Sequence, residues 1–416
     1  MRGWWWVLLI GTLARGMVLV CDPPTGGLGR LEPSVIADNL NAGLGFTFEQ
    51  YGTTYRAWKE PLYIVGLAWL TRWMGSSGIP VMFVQWLFGL STAVGVAWLA
   101  RQLLGDPLKA TLAGMIAAAN PFLVYYDTHW IYPLSLDAWL FVAVTGTILL
   151  ATDAETRARR TVWAGLVAGL ALWQKAALMA SGGVAWLVAC LSASRHDRWL
   201  TARRAAIWLG IAVVVIAPWL SRNYGLFGRL LLTTDSAHIL WLGNNPWSHG
   251  TYSDMTGRRV IELADPAFLS RLNGAAELHQ YDLFLEEVLR FIREQPGRCA
   301  SLVVARLEAF FWFSPNAGLN YTEQEGMIYR LAYVSLLTLG IIGFVLCWRR
   351  RVERAVRRRL LITAGAIVGL AAVHAVTAIN LKHRVPWELV LAVGAAEPLG
   401  RFAERLARRF SRRRLL

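Results

Sequence analysis

The sequence predicts an all-α polytopic membrane protein: a bundle of about ten transmembrane helices with a small cap on one side. Of its 416 residues, 56% are hydrophobic and only 17% are charged. Soluble domains are nearer to about a quarter charged. The 21 tryptophans agree with a membrane protein, because indole rings concentrate where a membrane meets water.

Ten segments are apolar and long enough to be transmembrane helices, since a span needs about 20 mostly apolar residues. They are 4–20, 79–104, 107–126, 132–151, 161–178, 180–194, 205–220, 327–348, 360–378 and 385–400. The shorter apolar segment 61–75 contains Arg72, so we expect it to lie as a helix in the membrane interface. Residues 4–20 contain Arg15 and lack a small-residue cleavage site, which favours a retained first helix over a signal peptide.

The net charge of +15 is concentrated in short intervals between apolar segments. These intervals are 157–160, 195–204, 349–359 and 401–414. Every second loop is therefore basic, which is the positive-inside pattern. It predicts a multi-pass protein of the inner or plasma membrane, in contact with the lipid bilayer, whose intervals 21–78 and 221–326 lie outside the cytoplasm. A charge spread over such loops does not indicate nucleic acid as a partner.

This topology divides the chain into three regions. Residues 1–220 form an N-terminal transmembrane region with the first outer loop, 21–78. Residues 221–326 form an outer region with a charged amphipathic helix from about Asp265 to Glu294, and 327–416 form the last spans and a basic tail. Cys21 and Cys299 both fall on the predicted outer side and could pair.

The first outer loop is the first candidate for chemistry. Glu32 opens a short segment with apolar residues at helical spacing, which ends at the glycine-rich turn 41–46. Arg56, Lys59 and Glu60 follow just before the next apolar segment. A carboxylate and three further charges thus stand between two hydrophobic segments of a chain that otherwise keeps charges out of them.

Further polar residues fall at the predicted outer ends of other helices. They are Asp127, His129, Asp137, Lys175, Arg222, Asn223, Lys382 and Arg384. Any one of them alone is typical of a solvated loop, but their common side indicates a site. Lys175 and Arg15 either extend to the membrane interface or face an anionic lipid head group.

The metal signal is weak. Asp127 and His129 lie two residues apart in a turn, which is poor evidence for a metal ligand pair. No zinc-protease, Walker or Rossmann pattern occurs in the sequence. We expect neither a metal nor a cofactor.

Several motifs occur in an order that resembles a known family. They are Leu13-Ala14-Arg15 in the first helix, the segment IADNLNAGLGF at 36–46, PLY at 61–63, PWLSRNYGLFG at 218–228, GNNP at 243–246 and RVPWE at 384–388. In this order they resemble the polytopic GT-C glycosyltransferases, in particular the bacterial branch related to protein O-mannosyltransferases and the aminoarabinose transferase of lipid A. The resemblance covers nearly the whole chain.

This resemblance implies transfer of a sugar from a polyprenyl-phosphate-linked donor to a glycan, lipid or protein acceptor outside the membrane, with inversion at the anomeric carbon. Glu32 would be the catalytic base, with Asp22 as the alternative, since many relatives have an aspartate in this loop. The substrate contacts would come from Arg56, Lys59, Glu60, Asp127, His129, Lys175, Arg222, Asn223, Lys382 and Arg384. The cations among them suit a leaving lipid phosphate.

Two other classes of protein remain open. A lipid-linked sugar transporter or flippase would want charged or broken helices at mid-bilayer. A non-catalytic subunit of cell-envelope glycan assembly would keep the bundle but have no need of the loop acid and its cations.

Overall fold

The computed structural model describes residues 3–24, 27–75, 78–153, 158–254, 256–313, 322–349 and 353–413. Of the predicted basic loops and outer region, Arg157, 255, 314–321, 350–352 and Arg414 lie outside the described residues.

The described residues form seventeen α-helices and four short strands. The helices are α1 Trp4–Cys21, α2 Glu32–Asn41, α3 Pro61–Met74, α4 Ile79–Leu104, α5 Pro107–Ala118, α6 Pro121–His129, α7 Leu134–Thr152, α8 Ala158–Gln174, α9 Ala176–Leu191, α10 Arg198–Phe227, α11 Asp235–Gly243, α12 Pro266–Leu272, α13 Glu277–Glu294, α14 Pro296–Phe311, α15 Glu323–Arg349, α16 Arg354–Val376 and α17 Val385–Arg413. The strands are β1 Gly29–Arg30, β2 Phe48–Gln50, β3 Thr53–Tyr55 and β4 Trp130–Ile131. Strand β1 pairs in parallel with β4, and β2 and β3 form an antiparallel hairpin.

The predicted helical membrane bundle is confirmed, and each of the ten predicted spans lies mainly in helices. Six described helices are long and apolar enough to cross a membrane: α1, α4, α7, α10, α15 and α16. The pair α5 and α6 makes a seventh if it counts as one span, bent by 44°. The bend follows from the sequence, because Asn120 caps α6 through its side chain and Pro121 has no N–H to continue α5.

The predicted boundary between the fifth and sixth spans is wrong. Helix α8 ends at Gln174, and α9 begins at Ala176, so the break lies at Lys175 rather than near residue 179. The backbone of Lys175 is extended, with φ −169° and ψ 118°. The apolar run continues through the break, which is why hydropathy alone did not locate it.

Arginines from two of the basic segments, 195–204 and 349–359, meet at one end of the bundle. Arg358 donates to the carbonyl oxygens of Thr152 and Ala189, and Arg359 pairs with Asp153 at 3.0 Å. Arg204 also donates to the carbonyl oxygen of Asp153. The basic loops therefore satisfy the carboxyl ends of neighbouring helices, where cations are favourable.

The other end of the bundle carries the first loop and a cap, residues 228–254 and 256–313; we call it the cap end. The cap has its own apolar core, with Trp241, Phe268, Phe284 and Val288 all buried. The predicted single helix from Asp265 to Glu294 is wrong: α12 and α13 are separate helices. The break falls at 273–276, where Gly274 adopts a φ of +77° that other residues rarely take.

The cap holds the first loop through the start of α13. The buried Glu277 carboxylate accepts hydrogen bonds from the backbone N–H groups of Arg56 and Ala57, at 2.7 and 3.0 Å, and from the Thr234 hydroxyl at 2.7 Å. Gln280 accepts from the Tyr55 hydroxyl and donates to the Tyr51 carbonyl oxygen. The Glu277 contacts fix residues 56 and 57, which lead to Lys59, whereas Gln280 attaches the β2–β3 hairpin to the cap.

Candidate functional site

Three lysines from separate parts of the sequence face carboxylates or aromatic rings at the cap end. Lys59, just before α3, forms an ion pair with Asp235, the first residue of α11. Lys175, in the break between α8 and α9, lies 3.0 Å from the carboxylate of Asp137. The amine of Lys382, in a 3-10 turn before α17, lies 4.0 Å from the ring centroid of Tyr132.

The break at Lys175 explains how that lysine reaches the site. Because α8 ends at Gln174 and the next residue is extended, both side chains turn towards Asp137, in the first turn of α7. Asp137 accepts from the Gln174 amide at 2.8 Å and from the Lys175 amine at 3.0 Å. Lys175 is therefore paired with a carboxylate of the bundle.

Of these three lysines, Lys382 has the fewest nearby negative charges paired with it. Among the described residues it forms no ion pair. Burial lowers the pKa of its amine to about 7, and the charges of Lys175, Glu32, Lys59 and Asp137 also act on it. These side chains therefore lie within electrostatic range of one another at the cap end.

Glu32, the first residue of α2, belongs to the same cluster. Its charge acts on the pKa of Lys59, Lys382 and Tyr252. Within the described part of the chain its half-buried carboxylate forms no ion pair and accepts no hydrogen bond. A carboxylate with open oxygen atoms beside several cations can take up a proton from a bound group.

Lys59 and Glu60 face the same cluster from the first loop. Burial opposes the charge of Lys59, but Asp235 and Glu32 more than offset this and raise the pKa of its amine. Burial raises the pKa of the Glu60 carboxyl, and the charges of Lys59 and Lys175 partly counter this effect. Lys59 is thus held in its charged form by carboxylates from two other segments.

Arg56, Arg222 and Asn223 form a separate group at the end of α10. The Arg222 guanidinium lies 4.6 Å from the ring centroid of Trp219 and donates to the carbonyl oxygen of Arg56 at 2.9 Å. Asn223 is buried and donates to the carbonyl oxygens of residues 231 and 232. The segment PWLSRNYGLFG therefore builds the corner where α10 enters the cap.

Asp127 and Arg384 are buried in contacts with other protein groups. Asp127 accepts two hydrogen bonds from Arg15, at 2.9 and 2.6 Å, in a pair that is almost fully buried. The alternatives that placed Arg15 at the interface or a head group are therefore wrong. Arg384 is fully buried, 3.3 Å from Glu388 and over the ring of Tyr333 at 3.8 Å.

His129 and Asp22 meet at a third place. The ring of His129 stacks on Tyr125, with centroids 4.5 Å apart, and its Nε2 lies 3.3 Å from the Asp22 carboxylate. Asp22 is 61% exposed at the end of α1. The alternative base is thus exposed and already has a partner.

Neither a metal centre nor a disulfide joins these groups. The described residues contain no group of three or more His, Cys, Asp or Glu side chains placed to hold a metal ion. Cys21 and Cys299 are both free thiols, so the pairing considered from the sequence is absent.

Sequence reasoning missed several residues of the cluster. Asp235 supplies the partner of Lys59, Tyr132 supplies the ring beneath Lys382, and Tyr252 supplies a hydroxyl near Lys59. Asp235 follows two threonines in a segment without a recognised motif, and nothing in the sequence links it to residue 59.

The sequence comparisons with known proteins give one family match. The family model described as dolichyl-phosphate-mannose-protein mannosyltransferase matches residues 59–221. A sequence search of curated proteins gave no match.

Solved structures resemble a larger part of the chain than the family model matches. The archaeal oligosaccharyltransferase AglB from Archaeoglobus fulgidus, in complex with an inhibitory peptide and a dolichol-phosphate, superposes with a TM-score of 0.55 at 14% identity, over 99% of this chain and 51% of that one. ArnT from Cupriavidus metallidurans gives 0.44 at 16% identity when bound to undecaprenyl phosphate, over 96% of this chain and 78% of that one. Its apo state gives 0.40 at 15% identity, over 90% and 74%.

The fold therefore defines the class: a multi-span helical membrane protein that shares its fold with AglB. The mannosyltransferase family model named above matches residues 59–221, less than half of the chain, and this match supports the resemblance found in the sequence. The matched range includes Lys59, Asp137 and Lys175 but not Glu32, Asp235 or Lys382. The chain spans about half the length of AglB.

Proposed function

We propose that this protein is a glycosyltransferase that moves a sugar from a polyprenyl-phosphate-linked donor to an acceptor hydroxyl or similar nucleophile. The observation that carries the proposal is that Glu32, whose carboxylate is open, lies within electrostatic range of Lys59 and Lys382, and that Lys175 acts on Lys382 as well. The family match over residues 59–221 and the dolichol-phosphate bound to AglB support a lipid-phosphate donor.

The reaction is a single displacement at the anomeric carbon. The acceptor oxygen attacks that carbon while Glu32 takes its proton, and the bond to the phosphate oxygen breaks. The leaving lipid phosphate keeps the electron pair, and Lys59 and Lys382 stabilise its charge. Attack opposite to the leaving group inverts the configuration.

The lysine cluster suits a phosphate because its cations are only partly compensated. An ammonium group has three N–H donors, and Asp235 accepts from Lys59. Lys382 has no ion pair with a described residue. We assign Lys59, Lys175, Lys382 and Glu60 to the donor site, and we leave Asp127, Asn223 and Arg384 in the structural contacts described above.

The proposed site faces away from the cytoplasm. Arg204, Arg358 and Arg359 gather at the opposite end of the bundle, and basic loops face the cytoplasm in most membrane proteins. In this orientation the first loop, 21–78, and the cap form the extracytoplasmic part, and the acceptor approaches there in the inner or plasma membrane.

A transporter of lipid-linked sugars is the second candidate, because two helix pairs are interrupted. Helices α5 and α6 bend by 44°, and α8 and α9 break at Lys175. Discontinuous helices of this kind frame the binding sites of many transporters.

Transfer by the purified protein in lipid nanodiscs tests the proposal. Short-chain polyprenyl-phosphate sugars serve as donors, with an envelope extract as the acceptor mixture. We expect Glu32→Gln to lower transfer by about 10²–10⁴-fold while donor binding is kept, because general-base catalysis contributes about this much.

Two matched carboxylate variants complete the test. Asp22→Asn removes the alternative base, and Glu49→Gln removes an exposed carboxylate of the same loop that bonds to Thr54. Both are expected to transfer sugar like the wild type. Full activity of Glu32→Gln would reject that base, and transbilayer movement of the donor by a wild type without transfer activity would favour the transporter.

A further inference from the structure

A line of hydrogen bonds runs from the first loop through the cap and back to Lys59. The Tyr51 hydroxyl lies 3.0 Å from Nε2 of His238, and Nδ1 of His238 lies 3.1 Å from Oδ1 of Asp235. The other oxygen atom of Asp235 forms the ion pair with Lys59.

The protons in this line have one consistent arrangement for a neutral imidazole. Nδ1–H donates to Asp235, and Nε2 then accepts from the Tyr51 hydroxyl. Burial raises the pKa of Tyr51, with a further contribution from Asp235, so its hydroxyl keeps the proton. Burial opposes the charge of Asp235, but Lys59 and His238 hold the pKa of its carboxyl below the ordinary value.

The local fold places each member of the line. Asp235 and His238 lie three residues apart on α11, hence on one face of the helix. Tyr51 and Gly52 form the turn between β2 and β3, with φ of 48° and 70°, as a tight hairpin turn requires. This turn directs the Tyr51 ring into the cap, where it packs against His238 and Phe284.

The line leaves part of the Lys59 amine available. Asp235 accepts from Lys59, and its own second oxygen is held by His238, so the carboxylate cannot rotate freely. The lysine side chain is 24% exposed, whereas that of Asp235 is 4% exposed. Among the described residues Asp235 is the one hydrogen-bond acceptor of the Lys59 amine, which also lies 5.6 Å from the ring centroid of Trp58.

We infer that Asp235, His238 and Tyr51 are positioning residues that hold the Lys59 ammonium for the donor phosphate. This inference rests on the proposed function. It makes the cap part of the donor site, because Asp235 and His238 belong to α11 and only Lys59 and Tyr51 belong to the first loop.

The test measures binding of undecaprenyl phosphate to the full-length protein in nanodiscs, together with KM and kcat for transfer. Asp235→Asn is expected to weaken binding by about 10–100-fold, because it removes a charged partner of a hydrogen bond. Tyr51→Phe is expected to weaken it by about 2–10-fold, as for the loss of a neutral hydrogen bond. For Tyr51→Phe the change should appear in KM for the donor more than in kcat.

Tyr55→Phe is the matched control. Tyr55 lies on the same hairpin and its hydroxyl also binds the cap, but through Gln280 and not through His238. It is expected to leave undecaprenyl phosphate binding unchanged even if it lowers thermal stability as Tyr51→Phe does.

A double-mutant cycle separates positioning from a structural role. If Tyr51 acts through Lys59, Tyr51→Phe has no further effect on binding in a Lys59→Met background. Equal losses in both backgrounds, or a loss in Tyr55→Phe as large as that in Tyr51→Phe, would overturn the inference and leave the proposed function intact. Unchanged binding in Lys59→Met itself would reject the assignment of Lys59 to the phosphate, and the inference with it.

Discussion

Two ion pairs with buried carboxylates, Arg15–Asp127 and Lys59–Asp235, differ in how completely their polar atoms are engaged. Arg15 and Asp127 are 0% and 1% exposed. Arg15 also donates to the carbonyl oxygens of Gly11 and Ala118, and the second Asp127 oxygen accepts from Ser135. Lys59, by contrast, is partly exposed and retains unengaged donors.

This difference distinguishes an ion pair that only stabilises the fold from one that can also bind a ligand. A charge taken out of water is tolerated when its partner and its remaining hydrogen bonds are all present, and such a pair has nothing left for a substrate. The Arg15–Asp127 pair therefore joins α1 to α6, whereas the lysine cluster at the cap end keeps capacity for a ligand. In the sequence alone, the charges of the Arg15–Asp127 pair and those of the lysine cluster look alike, because both lie near predicted helix ends.

The largest effect is expected from a substitution that breaks the Arg15–Asp127 pair. Asp127→Ala leaves Arg15 buried without a partner, which should lower the free energy of unfolding by about 3–5 kcal/mol. Thermal unfolding in detergent measures this. Asp282→Ala, in the exposed pair with Arg229, is the control and should change stability by at most about 1 kcal/mol; similar losses in both variants would contradict the comparison.

A smaller change tests the packing around the same pair. A Cβ added to Gly89 on α4 would collide with the side chains of Arg15 and Asp127. We expect Gly89→Ala to cost about 1–3 kcal/mol, as for other overpacked sites. Gly183→Ala, where the added carbon meets no neighbour, is the matched control, and a loss there as large as that in Gly89→Ala would show that the pair is not tightly enclosed.

The pH dependence of donor binding tests whether Lys382 belongs to the ligand-binding cluster. Burial lowers the pKa of its amine to about 7, so the amine is charged below this pH and neutral above it. Binding of a polyprenyl-phosphate sugar, whose phosphodiester charge is constant, should weaken as the pH rises from about 6 to about 8. The change should reach up to about tenfold per pH unit.

The control for this prediction is Lys382→Met, which should bind weakly and with no pH dependence over the same interval. A pH-independent wild type, measured by titration in nanodiscs, would mean that Lys382 does not face the phosphate.

The smallest expected effect concerns Arg222, which stacks over Trp219 at the corner of α10. Arg222→Lys loses the planar contact and should cost about 0.5–1 kcal/mol of stability. Donor binding should stay as in the wild type, since this corner is separate from the lysine cluster. A marked loss of binding would extend the site to the corner.

The sequence was sufficient to predict what depends on local pattern. Hydropathy located the helices of the bundle apart from the break at Lys175, and Glu32 with its helical spacing predicted α2, which runs Glu32–Asn41. Pairings across the chain could not be predicted: Asp235 meets Lys59 from 176 residues away, and Asp127 meets Arg15 from 112. Such contacts depend on packing, and neither spacing nor composition encodes them in a single sequence.

The same limit explains which predicted site residues the structure gathers. Charge and position looked alike for Asp127, Lys175 and Arg384. Only the break at Lys175 turns its side chain to Asp137, and only the packing of α15 against α17 encloses Arg384 among the rings of Tyr329 and Tyr333.

The hydrogen bonds from the first loop to Glu277 have a consequence for biosynthesis. The backbone N–H of Arg56 finds its acceptor 221 residues later in the chain, and contacts between distant residues form late because long loops must close first. While the ribosome is still producing the early spans, the loop before Lys59 has no partner for these amide groups. We therefore expect the proposed donor site to be completed only after α13 has been synthesised, so a nascent chain stalled before that helix would contain the early spans without the proposed site.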